Sequence, residues 1–355
     1  MSANNTKKKK SALIGIAFMF IFIAALVFGC GDKPEQPKIV KHNEGELIIH
    51  FVDVGQGDCI IIQLPDSKTM IIDGGPRSAR NAVLNYIDNL GIKVFDYLLL
   101  THTDEDHCGS LDDVILNYEI KTIFMPDVST STITTVVYRT FVEAVLEEEN
   151  AGATVCKSDF DCDFENSEFG YYMDFVTPYP EDYKRVKSGN AEAINSISPI
   201  MMLTFLDKKI MFTGDANLIT EEVFFEKTKD DGVDYNVDIL KVAHHGSRTS
   251  TSTNFLNVVK PEIAVIPVGG KNTYGHPTAE LLARLKVCSD SGGTADVYRT
   301  DQNGNVIIKL TSDGVNAVIS ETILEKSSAI VIAVNKADFK TLLAGIFVNI
   351  KNFAV

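Results

Sequence analysis

From residue 46 onward, short apolar runs alternate with amphipathic stretches, the pattern of an α/β chain. Residues 46–52 predict a strand, and residues 59–64 and 68–72 predict a hairpin across Pro65-Asp66-Ser67. In residues 79–90 the apolar positions Val83, Leu84, Ile87 and Leu90 recur at helical spacing. Strands follow at 94–100 and 120–125 with a short helix between them at 111–118, then a helix at 139–149 ending in Glu147-Glu148-Glu149. Residues 150–195 are polar, contain Pro178 and Pro180, and are expected to be irregular. A second hairpin is expected at 199–206 and 209–212. Helices at 219–227, 252–259 and 279–287 then alternate with strands at 237–243 and 263–268. Segments 296–298 and 306–310 flank the turn Asn303-Gly304, and a strand at 315–320 closes the pattern. No internal repeat is visible. The alternation predicts one layered α/β domain over residues 46–320, while residues 321–355 carry apolar runs of both periods and stay unassigned.

Upstream the pattern changes. A basic run, Lys7-Lys8-Lys9-Lys10, precedes residues 11–29, which carry no charge, and Cys30 follows. About 20 apolar residues span a bilayer and flanking Lys stays cytoplasmic, so residues 1–30 read as a signal peptide or membrane anchor. Leu26-Val27-Phe28-Gly29-Cys30 resembles a lipoprotein processing site; an uncleaved anchor and a buried helix are the alternatives. The first two place the domain on the extracytoplasmic face of the cell membrane, held there by its N-terminus. Residues 31–45, with two Pro and two Gly, read as a flexible linker. No further run of 18 apolar residues occurs after residue 30.

Composition narrows the partners. The 355 residues are 45% hydrophobic, an ordinary globular value, with a formal net charge of −15. Removing residues 1–29 removes four Lys and no acid, which makes the remainder more acidic still. Such a surface repels polyanions and does not by itself recruit DNA. Past Cys30 stand Cys59, Cys108, Cys156, Cys162 and Cys288, an odd set. Cys156 and Cys162 share a polar stretch and could pair in an oxidising compartment; five buried or idle thiols is the other reading.

The chemistry is concentrated behind the predicted strands. His102-Thr103-Asp104-Glu105-Asp106-His107 puts four potential metal ligands, His102, Asp104, Asp106 and His107, into six residues directly after the apolar run Tyr97-Leu98-Leu99-Leu100. Imidazole and carboxylate form the ligand set of hydrolytic zinc, manganese and iron sites. Ile210-Met211-Phe212 runs into Thr213-Gly214-Asp215, and Ile239-Leu240-Lys241-Val242-Ala243 into His244-His245-Gly246-Ser247. Met70-Ile71-Ile72 ends at Asp73-Gly74-Gly75, where glycine permits a positive-φ turn. The pieces of a nucleophile elbow or a phosphate loop are missing.

This order resembles the metallo-β-lactamase superfamily. Asp53-Val54-Gly55-Gln56-Gly57-Asp58, the His-x-Asp-x-Asp-His form, His244-His245-Gly246-Ser247 and Tyr274-Gly275-His276-Pro277 closely resemble the hydrolase domain of the ComEC family of DNA-uptake proteins, over residues 46–320. The resemblance implies a four-layered αββα sandwich and a centre with one or two divalent metal ions, manganese or zinc. On that pattern His102 and Asp104 serve a first metal, Asp106 and His107 a second; Asp215 bridges and His245 completes the second. Asp104, standing where many relatives have imidazole, hardens the site toward manganese. Many relatives add a histidine before the bridging carboxylate; here Asn195-Ser196-Ile197-Ser198 has none, and Asn195 and Ser198 either support the metal or cap a loop.

In a strand-like backbone His244 and His245 point to opposite sides, so His245 is expected to ligate and His244 to stand behind it or in the core. Ser247, Arg248 and Ser250 precede a predicted helix, a place suited to an anion, with N-capping the alternative for Ser250. Catalysis falls to Asp106 and to His276, which either contacts substrate or donates a proton to the leaving group, with a structural loop role as the alternative. Asp53, Gln56 and Asp58 are expected to shape turns, and Asp73 to hold the metal loop by hydrogen bonds. The implied function is an exported, metal-dependent phosphodiesterase, a nuclease acting on DNA at the cell surface. A hydrolase of a cell-wall or lipid phosphodiester or other ester is the alternative, and a non-catalytic metal-binding lipoprotein a third class. No feature identifies a protein partner.

Overall fold

Strands and helices alternate along the chain. β1 (Leu47–Phe51), β2 (Ile60–Gln63), β3 (Thr69–Ile72), β4 (Val94–Leu99), β5 (Glu119–Met125) and β6 (Thr154–Lys157) come first. Next come β7 (Phe164–Asn166), β8 (Tyr171–Thr177), β9 (Ile200–Phe205), β10 (Lys208–Phe212), β11 (Ile239–Lys241), β12 (Ile263–Ile266) and β13 (Asp296–Arg299). The last are β14 (Asn305–Thr311), β15 (Gly314–Ser320) and β16 (Ile330–Val334). This computed structural model describes residues 41–157, 164–178, 181–186, 190–287, 295–311, 314–320 and 330–334. The N-terminal segment 1–30, most of the linker 31–45 and of the tail 321–355, Cys162 and Cys288 lie outside the described residues, and so does the disulfide expectation. Among the described residues no helix is long and apolar enough to cross a membrane.

Two sheets result. One has the order β16-β15-β14-β1-β2-β3-β4-β5-β6, the other β13-β12-β11-β10-β9-β8-β7. Each is antiparallel on one side and parallel on the other: β3 through β6 pair in parallel, as do β10 through β13. Parallel neighbours need crossovers, and the helices that make them cover the outer faces.

The period-2 alternation of side chains fixes the layers. On β2 and β3, Ile60, Ile62, Met70 and Ile72 face inward to meet Met201, Leu203, Phe205, Ile210 and Phe212 of β9 and β10, forming the core between the sheets. Their neighbours Ile61 and Ile71 face outward against Val83 and Ile87 of the helix Arg80–Leu90 and Phe141 and Val145 of the helix Val136–Ala151. On the other sheet Met202, Met211, Leu240 and Ile266 pack against Phe224 of the helix Leu218–Thr228, Phe255 and Leu256 of Thr253–Val259, and Leu281 of Ala279–Leu285. Three apolar seams separate four layers, the expected αββα sandwich.

Two expectations are corrected. Residues 150–195 are not irregular: β6, β7, β8 and the helix Ala191–Asn195 lie there. β6 is an edge strand with no fully buried residue, so it carries no apolar run. β8, seven residues long, does alternate at its start, with Tyr171 and Met173 inward and Tyr172 and Asp174 exposed, but an irregularity between Phe175 and Thr177 breaks the pattern. The turn at Asn303-Gly304 does not join neighbouring strands either. β13 pairs with β12 in one sheet and β14 with β1 in the other, so the helix Thr300–Asn303 carries the chain between sheets.

Candidate metal centre

Apart from Asp58, in the loop between the antiparallel strands β1 and β2, the residues of the centre follow strands at the carboxyl edge of the parallel half of each sheet, so the loops after β3, β4, β10, β11 and β12 face one another across the sandwich. Asp73, just past β3, adopts φ 57° and is fully buried. Its carboxylate accepts hydrogen bonds from Thr101 N (2.8 Å), Thr101 Oγ1 (2.7 Å) and His107 Nδ1 (2.7 Å). Asp73 therefore holds the loop after β4 and sets a ring orientation in it.

Those bonds decide tautomers. Thr101 Oγ1 gives its hydrogen to Asp73, so at 3.0 Å it accepts one from His102 Nδ1. His107 Nδ1 donates to Asp73, and His245 Nδ1 donates to the Pro267 carbonyl at 2.9 Å. All three rings thus turn an Nε2 lone pair to the same space. His107 Nε2 and His245 Nε2 stand 3.2 Å apart, and His102 and His107 have ring centroids 4.1 Å apart. Asp215, delivered by β10, sends Oδ1 to 3.3 Å from His107 Nε2 and Oδ2 to 3.5 Å from His245 Nε2 and 3.9 Å from His102 Nε2.

Two lobes share Asp215. In one, His107 and His245 are joined by Asp106, whose Oδ2 lies 3.4 Å from His245 Nε2. In the other, Asp104 Oδ2 lies 3.8 Å from His102 Nε2 and His244 Nε2 lies 3.7 Å from Asp215 Oδ2. Lone pairs facing lone pairs within a ring of carboxylates need positive charge between them. Burial opposes it, yet Asp215, Asp106 and Asp58 still raise the His245 pKa to about 10, and Asp215 and Asp73 hold that of His107 well above its ordinary value. Burial likewise opposes the Asp215 charge, but His245 and His107 keep its pKa well below the usual range. His102 differs: burial and the neighbouring His107 push its pKa down to about 3, and its Nε2 has no hydrogen-bond partner among the described residues, nor has Asp215 Oδ1. Unpartnered, buried donor atoms of the right kind fit a divalent cation.

Single oxygen or nitrogen atoms of Asp58, His107, Asp215 and His245 also lie within 4.8 Å of one another. Asp58 nevertheless faces the protonated nitrogens, 3.8 Å from His107 Nδ1 and 3.4 Å from His245 Nδ1, so it orients the rings from behind. Its other contact was missed from sequence: the Lys241 ammonium pairs with its carboxylate, donates to the Gly214 carbonyl at 2.7 Å and lies 3.8 Å from Asp215 Oδ1. Lys241 and Asp58 are both buried. Asp58 is thus more than a turn former, a correction whose signal was visible in the one charge within Ile239-Leu240-Lys241-Val242-Ala243. Gly57, at φ +132°, permits the approach, because a Cβ there would sit 2.2 Å from the Asp106 carbonyl oxygen that accepts the Asp58 N–H. Asp53 does shape a turn, accepting from Gly55 N, whereas Gln56 accepts from Gly269 N and ties its loop to the one after β12.

The remaining predicted residues line the rim. His244 and His245 are not strand-like: both have positive φ, 52° and 51°, in a tight turn, and their rings meet edge-on with centroids 6.2 Å apart. That turn still sends His245 inward and leaves His244 partly exposed. Ser198 Oγ accepts from Asp215 N at 3.1 Å and lies 3.4 Å from His102 Nδ1, on the side of the ring away from the lobes. Asn195 Nδ2 reaches the His244 ring at 3.4 Å. The helix after Arg248 has seven residues and is capped by Ser252 rather than Ser250. Ser250 instead donates to the Ala243 and Ser247 carbonyls, Ser247 bonds Thr249, and Arg248 is exposed. His276 meets this rim edge-on, its ring 5.4 Å from that of His244.

The metallo-beta-lactamase superfamily model matches residues 52–161. The chain carries a metallo-β-lactamase superfamily domain. It has that superfamily's hydrolase fold, with a candidate metal site in it. ComE operon protein 3 of Bacillus subtilis is 26% identical over 284 residues, 74% of this chain and 33% of that protein. Recombination protein 2 of Haemophilus influenzae is 25% identical over 67% of this chain and 26% of its own length. Competence protein ComA of Neisseria gonorrhoeae is 24% identical over 82% and 36%. The chain therefore spans about a third of the length of these relatives, or less.

Proposed function

We propose that this chain is a metal-dependent phosphodiesterase, a nuclease that acts on DNA at the outer face of the cell membrane. The observation that carries the reading is the convergence of three Nε2 lone pairs on Asp215, with Asp104 and Asp106 on either side of it. His102, Asp104 and Asp215, with His244 at their edge, would hold one divalent ion; Asp106, His107, His245 and Asp215 would hold another. A divalent ion there polarises phosphoryl oxygens and acidifies water. Hard carboxylates in both lobes favour manganese, and imidazole in both leaves zinc able to bind. Burial, His244 and His245 lower the His276 pKa to about 4, so at neutral pH the ring is uncharged and serves to hydrogen-bond the substrate rather than to donate a full proton. DNA as substrate comes from the competence relatives; export comes from residues 11–29 and Cys30.

A second reading, a cell-wall or lipid phosphodiester, is favoured by the net charge of −15, which opposes a polyanion. The purified protein with Mn²⁺ or Zn²⁺, presented with single-stranded DNA, bis-p-nitrophenyl phosphate and nitrocefin, separates the readings. Cleavage of DNA supports the nuclease. Cleavage of the small diester alone supports the second reading, and turnover of nitrocefin alone removes both.

A further inference from the structure

A file of aromatic rings runs from the metal centre to solvent. His245 is buried; His244 stands edge-on to it and is partly exposed. The half-buried His276 meets His244 edge-on at 5.4 Å between centroids, and Tyr274 lies nearly parallel to His276 at 5.7 Å and 25°. Tyr274 is 69% exposed, among the most exposed large apolar side chains of the described residues. Its position is built: Asn272 closes the loop beneath it, donating from Nδ2 to the carbonyls of Gly269 (2.6 Å) and His276 (2.8 Å) and accepting the His276 N–H (3.0 Å). The loop is also tied to the metal-bearing turn, since Thr278 N donates to the Gly246 carbonyl at 3.0 Å. Gly246 makes that closeness possible, because a Cβ there would sit 2.5 Å from Pro277 Cβ. Two buried polar atoms of the same wall, Asn195 Oδ1 and His276 Nδ1, have no hydrogen-bond partner among the described residues.

A hydrogen-bonded loop that holds an aromatic face out to water, three ring contacts from the buried His245, suits one ligand chemistry. We propose that Tyr274 is a stacking platform for a nucleobase of a single-stranded nucleic acid, seating a base beside the phosphate that enters the centre. Every base offers a π-face, so such a platform binds without reading sequence, and it supplies attraction that an acidic surface cannot supply by charge. This rests on the phosphodiesterase reading for its purpose, and the test is made independent of cleavage.

The experiment is equilibrium binding of a fluorescein-labelled single-stranded oligonucleotide to the full chain, followed by anisotropy at low salt. Tyr274→Phe keeps the ring and Tyr274→Ala removes it; neither touches the buried core. The expected result is an unchanged Kd for Tyr274→Phe and one about tenfold weaker for Tyr274→Ala. An oligonucleotide of abasic residues should bind the unsubstituted protein as weakly as ordinary DNA binds the Ala variant, with no further loss when the two are combined. Equal affinity of the unsubstituted and Ala proteins for ordinary DNA overturns the platform, and so does the absence of any binding. Ring-dependent binding without cleavage by the metal-loaded protein leaves the platform standing and removes the nuclease reading instead.

Discussion

Replacing Lys241 by Met removes a charge from behind the metal centre at nearly constant volume. The ammonium is fully buried, pairs with the Asp58 carboxylate and donates to the Gly214 carbonyl. Without it, a carboxylate with 1% side-chain exposure loses its counter-charge. Breaking a buried pair in this way costs about 3–5 kcal/mol. A second route to the magnitude asks what it costs Asp58 to escape by taking a proton. At pH 7, from an ordinary value near 3.9 and at about 1.36 kcal/mol per unit, that is about 4 kcal/mol. The two agree, and the second adds a pH dependence. In the intact protein burial opposes the Asp58 charge, but Lys241, His245 and His107 keep its pKa below the ordinary value. In the variant it lies above the unfolded value, so the folded state holds a proton that the unfolded chain has released. The deficit therefore grows as pH rises from about 4 and shrinks as pH falls, to about 1.5 kcal/mol at pH 5. Urea denaturation of the metal-free protein, followed by circular dichroism at pH 7.5 and pH 5, measures it. A deficit that is the same at both pH values, or below about 1 kcal/mol at pH 7.5, refutes the reasoning; adding Asp58→Asn to the Met variant should restore part of the loss.

Asp215→Ala removes the carboxylate shared by both lobes, so elemental analysis of the purified variant should show bound metal falling towards none, with hydrolysis lost; full metal content would disprove sharing. Asp104→His places imidazole beside His102 and should raise Zn²⁺ affinity relative to Mn²⁺ by about tenfold or more in competitive titration, whereas an unchanged ratio would separate Asp104 from the metal. His50 is buried, with Nε2 at 3.0 Å from Gln63 Oε1 and Nδ1 at 3.0 Å from the Tyr86 hydroxyl, and burial lowers its pKa to about 4. Its neutral form stabilises the fold above the unfolded value near 6.5, and that contribution, about 3 kcal/mol, is lost as pH falls from 6.5 through 4. His50→Gln should flatten the stability profile across that window, and a profile of unchanged slope would count against the assignment.

Much of this protein is legible without coordinates, for a physical reason. Strand alternation and helical spacing are local, so Ile60-Ile61-Ile62 and the Val83 to Leu90 stripe declare two-sided burial and an amphipathic face in the order of their residues. The ligand types are legible too, because His102 to His107 are six consecutive residues on one loop. Contacts between distant segments are not. β13 and β14, separated by one short helix, lie in different sheets, and only the pairing of each with a far strand decides that. Asp58 and Lys241 become partners because two sheets bring their strand ends together, 183 residues apart in the chain. The direction of each imidazole is likewise tertiary: Asp73, Thr101 and the Pro267 carbonyl take the Nδ1 protons and leave Nε2 facing the centre. Residue order thus determined which chemical groups this chain carries and which faces it buries, since those follow from neighbours a few positions away. The fold decided which nitrogen of each ring is free, because Asp73 and the Pro267 carbonyl, distant in the chain, fix the protons of His107 and His245 directly, and Asp73 fixes that of His102 through Thr101.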